Sequence, residues 1–161
     1  MGGSLYDAVG GGDVLLALAH AWHARCLADP IASHPFARND LHPQHSERLA
    51  AYWGEALGGP AVYTATMGTE SGVRRVHAGN GEHRELDEAC IAAFVQAMDD
   101  VGIAVACRDP LEAYFRVTTD LLDQPVAVQD IRDGLTMLRW STEGPVVTPA
   151  PGAGVPDPPA A

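Results

Sequence analysis

Seven histidines in a chain of 161 residues are the residues here with the most chemistry to offer, and their spacing matters more than their number. His20 and His23 lie three apart, and His42 and His45 repeat that spacing. Imidazoles at i and i+3 share a helix face and could together hold zinc, copper, iron or nickel, although a solvated surface role is the commoner fate of histidine. His77 stands alone after Arg74, Arg75 and Val76, and His34 and His83 fall near loops. The three cysteines, Cys26, Cys90 and Cys107, form no CxxC pair. In helical patterns, Cys26 and Cys90 read as small core residues.

These residues need helices to position them, and helical periodicity dominates the chain. Val14, Leu15, Leu18, Trp22, Cys26 and Leu27 recur at spacings of three and four between Asp13 and Leu27, before Asp29-Pro30 stops the pattern. The stretch to Pro43 reads as loop around Phe36. A second helix is predicted from Gln44 through Leu57, closed by Gly58-Gly59-Pro60. A short helical turn is expected from about Ser71 to His77. Glu82 opens the clearest stripe, Leu86, Ala89, Cys90, Ala93, Phe94, Ala97, Met98 and Val101, and a last helix is expected from Asp109-Pro110 to Leu122. No period-two run long enough for a strand occurs. The expectation is an all-α domain over residues 1–125, an extension over 126–144 able to dock through Leu135, Leu138 and Trp140, and a disordered Pro/Ala/Gly-rich tail over 145–161.

Composition narrows the partners. Ten basic residues, all arginine, oppose 21 acidic ones, a net charge of −11 that repels nucleic acid and anionic membrane surfaces. Apolar stretches are broken by Gly, His or Pro well before the ~20 residues that span a bilayer. The start lacks the pattern of a secretory leader and the cysteines are odd in number and scattered, so a cytoplasmic location is expected.

The ordered combination of SLYDAVGG, a helix ending in LADP, then ERLAAYWGEALGGP, AVYT and RRVH before a loop and a helix resembles the truncated haemoglobins, nearest to group II. The resemblance runs from Leu5 to about Leu122. It implies a two-on-two helical sandwich around haem b, with the iron held by a proximal histidine matched by His77; a lone imidazole ending a short helix between apolar helices suits an axial ligand. Phe36 matches the aromatic at the haem edge, Leu49 an apolar residue over the iron, and His45 the gate-side distal residue. One inserted residue between Phe36 and His45 leaves His42 or Gln44 as alternatives. His23 stands where the group most often has Tyr, and Cys90 where a Trp is common. Arg48, Arg75 and Tyr63 are the groups expected against the haem propionates.

The function so implied is binding of O₂, NO or CO at haem iron, as in oxygen transport, sensing or a redox role such as NO dioxygenation or peroxidase-like turnover with an unidentified electron donor. Whether His45 ligates iron or only hydrogen-bonds the ligand stays open, as does oligomeric state. The rival is a haem-free helical bundle holding a divalent metal through His20, His23, His42 and His45, in the manner of a hydrolase. A third reading is a degenerate globin serving only as an interaction module.

Overall fold

The computed structural model describes residues 3–37, 41–79 and 83–147. Among them are seven α-helices: α1 (Leu5–Val9), α2 (Gly11–Ala28), α3 (His45–Ala56), α4 (Val62–Thr66), α5 (Glu70–His77), α6 (Arg84–Val101) and α7 (Val105–Leu122). The helix α2 packs on α3 and on α6, and α6 packs on α7, so two helix pairs lie one on the other.

The five-residue α1 is too short to show a periodicity. Ser4 caps it by accepting from the Asp7 N–H at 3.1 Å, and Gly10, at φ 109°, separates it from α2. It docks on the end of α3 through Tyr6 N–H donating to the Leu57 carbonyl at 2.9 Å. That docking needs Gly59: a Cβ there would lie 2.5 Å from the Tyr6 ring and 2.7 Å from the Gly54 carbonyl oxygen.

The core is aromatic where the two pairs meet. Phe94 of α6 and Phe115 of α7 stack at 4.2 Å, and Trp53 of α3 meets Phe94 edge-on at 5.5 Å. Trp22 of α2 completes the network against Trp53, Phe115 and Phe36. Each such pair contributes about 0.5–1.5 kcal/mol beyond its buried area.

Several features differ from the sequence reading. The last helix begins at Val105, four residues before the expected Asp109, and carries Pro110 inside it. The bond that Pro110 cannot donate would have gone to Ala106, which is exposed, so water can serve that carbonyl. Val62–Thr66 forms a helical turn where the apolar pattern is weak, and a two-residue antiparallel pair joins Trp140 to Pro145 and Ser141 to Gly144.

Within 126–144 it is residues 135–140 that pack against the helices. Trp140 and Met137 are buried, Leu135 and Leu138 partly so, and the Trp140 ring approaches Tyr114 of α7 at 6.3 Å. Arg139 donates to the Glu55 carbonyl at 3.2 Å, and its guanidinium lies 3.7 Å from the buried Glu55 carboxylate. The ladder reaches Val146, whose N–H donates to Arg139 at 2.9 Å. Of the tail expected over 145–161, residues 148–161 lie outside the described residues.

Truncating Trp140 to Ala should cost about 3 kcal/mol, the lower end for emptying a buried aromatic site. Val147→Ala, at an 87% exposed position, should change stability by less than ~0.5 kcal/mol. Urea unfolding of both variants checks the contrast.

Candidate functional site

Three rings from three segments meet beside Trp22. His23 follows Trp22 on α2, Phe36 sits in the 3₁₀ turn His34–Ala37, and His45 is the first residue of α3. The His23 ring lies 4.9 Å from Phe36 and 5.5 Å from His45, and Phe36 lies 5.8 Å from His45. The Nδ1 of His23 and the Nε2 of His45 are buried with no hydrogen-bond partner among the described residues. Burial, then nearby His20, pushes the His23 imidazole below its ordinary pKa of 6.5. Burial, then His23, His77 and His42, does the same to His45. Both rings are thereby kept neutral, each able to donate or accept one hydrogen bond.

The pairs seen in the sequence do not converge. His20 is exposed, and exposed His42 accepts from the Gln44 N–H at 3.0 Å through its Nδ1, bracing the start of α3. Gln44 is exposed, so among the three alternatives His45 is the one that joins the ring cluster. Among the described residues no three His, Cys, Asp or Glu side chains gather in a group that could hold a metal ion.

His77 ends the eight-residue α5 and is near enough to His45 for its charge to contribute to the lowered His45 pKa. Its Nδ1 lies 2.8 Å from the Val73 carbonyl. An imidazole that donates its Nδ1 proton to a backbone carbonyl carries its lone pair on Nε2, the arrangement of an oriented metal ligand. Leu49 lies one turn beyond His45 on α3, packed against the core.

Eight residues make a marginal helix alone, and α5 is held from outside. Thr69 caps it, accepting from the Gly72 N–H at 3.0 Å. Glu70, 2% exposed, accepts from the Tyr52 hydroxyl and from Arg74 Nε, both at 2.7 Å. Ser71 Oγ accepts from the Leu135 N–H at 3.1 Å. Arg75 Nη2 donates to the Ile131 carbonyl at 2.8 Å and to Asp133 at 2.6 Å. Arg48 Nη2 donates to the Met67 carbonyl at 2.9 Å, with its guanidinium 5.8 Å from the ring of buried Tyr63. The sequence reading did not single out Glu70, Ser71 or Tyr52. The Glu70–Arg74 spacing of four was the available signal.

Residues 4–120 match the family model described as bacterial-like globin. The fold is similar to the group II truncated haemoglobin of Bacillus anthracis, with TM-score 0.68 and 22% identity over 78% of this chain and 94% of that one. It is also similar to the haemoglobin of Chloroflexus aurantiacus, with TM-score 0.65 and 24% identity over 76% and 99%. A truncated oxygen-avid haemoglobin from Bacillus subtilis gives TM-score 0.65 and 24% identity over 76% and 100%. No curated protein matches the sequence.

The depressed imidazoles give stability a definite pH dependence. Between the lowered values of His23 and His45 and the ordinary 6.5, the unfolded chain binds protons that the folded one does not, so stability falls as pH drops below about 6.5. Asp87 of α6 works the other way: burial and its hydrogen bond with the Asp123 carboxyl push it up to about 7, favouring the folded form as pH falls. His45→Leu removes part of the first effect and none of the second. Thermal unfolding from pH 7.5 to 5 should therefore show a smaller loss of Tm in His45→Leu than in the parent.

Proposed function

This chain belongs to the bacterial-like globin family, and from that premise we propose that it binds a diatomic gas, O₂ foremost, at haem b held by His77. Haem, the cofactor of a globin, would supply an iron atom able to bind such a gas while a protein imidazole holds it. The residues present fit the group. The buried, unpartnered nitrogens of His23 and His45 carry the reading, because leaving such atoms unbonded is unfavourable unless a ligand engages them.

His77, oriented through Val73, would hold the iron, and Phe36 and Leu49 would give the cofactor apolar contacts. Arg48, Arg75 and Tyr63 are proposed to meet the propionates. Arg75 and Arg48 each spend Nη2 on backbone carbonyls and, for Arg75, on Asp133, which leaves the rest of each guanidinium fork for a carboxylate. His45 and His23 are proposed to donate hydrogen bonds to the bound gas. His45 is the better placed, on the helix that carries Leu49, and His23 supports it from α2. Among the described residues no helix is long and apolar enough to cross a membrane. The cysteines are free thiols, which suits the reducing cytoplasm we propose for the protein.

The proximal assignment is tested by His77→Gly, which should lose the Soret absorption of bound haem and regain it with added imidazole, while His83→Ala keeps it. Equal retention by both variants defeats the assignment. For the distal pair, removing one hydrogen bond worth about 1 kcal/mol should speed O₂ dissociation roughly fivefold in His45→Leu and in His23→Phe, read by stopped flow. A change under twofold in both, below ~0.5 kcal/mol, means that neither imidazole touches the gas.

A further inference from the structure

Two of the three thiols meet across a helix pair. Cys26 of α2 is fully buried and Cys90 of α6 is half-buried, and where α2 packs on α6 the two thiols lie close enough for each to shift the other's pKa. The approach is fixed by backbone as well as side chain. Trp22, one turn before Cys26, donates its indole N–H to the Cys90 carbonyl at 3.0 Å, so α6 is pinned to α2 at this level. Cys107 is buried separately on α7.

We propose that Cys26 and Cys90 are a redox-active pair that closes reversibly to an intramolecular disulfide linking α2 to α6. The roles within the pair are unequal. Cys90 is the more accessible of the two, and neighbouring Cys26 lowers its pKa, against burial and the carboxylates of Asp87 and Asp29, which raise it. Neighbouring Cys90, then burial, raises Cys26. Cys90 is thus the attacking sulfur and Cys26 the resolving one.

The oxidant is a low-molecular-weight disulfide. The Cys90 thiolate attacks one of its sulfurs, forming a mixed disulfide and expelling one small thiolate. Cys26 then gives up its proton and attacks the Cys90 sulfur, expelling the second small thiolate. Two electrons pass from the protein to the small disulfide, the two protein protons end on the two small thiols, and one S–S bond is exchanged for another.

The test uses the full-length holoprotein, fully reduced and then equilibrated anaerobically in graded mixtures of reduced and oxidised glutathione. Free thiols are alkylated and the protein is mapped by mass spectrometry. The expected result is a species lighter by two hydrogen atoms before alkylation, carrying a Cys26–Cys90 cross-linked peptide, with Cys107 alkylated, and reversible by dithiothreitol. Cys26→Ser should instead accumulate glutathione on Cys90, and Cys90→Ser should take up none. Three alkylated cysteines in the most oxidising mixture, a cross-link through Cys107, or mixed disulfides alone in the parent protein would each overturn the proposal. The parent measurement needs no variant to fold, and it reads the thiols independently of whether the gas-binding reading holds.

Discussion

A carboxylate buried at the first residue of an eight-residue helix carries much of this architecture. Glu70 gives up its hydration only because the Tyr52 hydroxyl and the Arg74 guanidinium replace it, one from α3 and one from the next turn of α5 itself. Taking away either partner leaves a charge in a place without water, which is far more costly than losing an ordinary surface pair. That arrangement sets where α5 begins, and the end of α5 is where His77 sits. Helix propensity does little here, since the segment contains a glycine and two valines in eight residues.

The opposite wall is built by different physics. Trp22 meets Phe36, Trp53 and Phe115, so the aromatic core that joins the two helix pairs also braces the loop carrying Phe36. Beside it, His23 and His45 keep polar nitrogens in an apolar setting. Rigid packing and unsatisfied polarity are thus set side by side, as is common where a protein trades stability for a site. Cys26 and Cys90 lie on the same two helices that Trp22 ties together.

The long stripes were legible. From α6, with Leu86 to Val101 at helical spacing, and from α2, the all-helical sandwich followed, and GGP marked the end of α3 because nothing but a turn suits that triplet. What failed to show has physical causes. Five residues of α1 and five of α4 contain too little repeat to read. Pro110 looked like a helix start because proline favours the first turn, yet an exposed carbonyl let the helix begin earlier. For the site, His23, Phe36, His45 and His77 were each readable as candidates. His45 was preferred over His42 and Gln44 with one residue of loop register left open, and the ring contacts of His45 beside the outward-facing His42 and Gln44 separate them. Met137 was passed over beside Leu135, Leu138 and Trp140, and the role of Arg75 in holding residues 131–133 has no local signature at all.

The anchors of α5 that come from the extension lie 56 to 64 positions further along the chain. At a synthesis rate of about 5–20 residues per second, roughly 3 to 13 s separate the appearance of α5 from that of the residues that fix it. At the start of that interval the nascent chain has α1 to α4, with Trp22, Trp53, Phe36, His23 and His45, but not the extension groups that settle the helix ending in His77. The settling of that helix is therefore a late event in translation, one that awaits the extension.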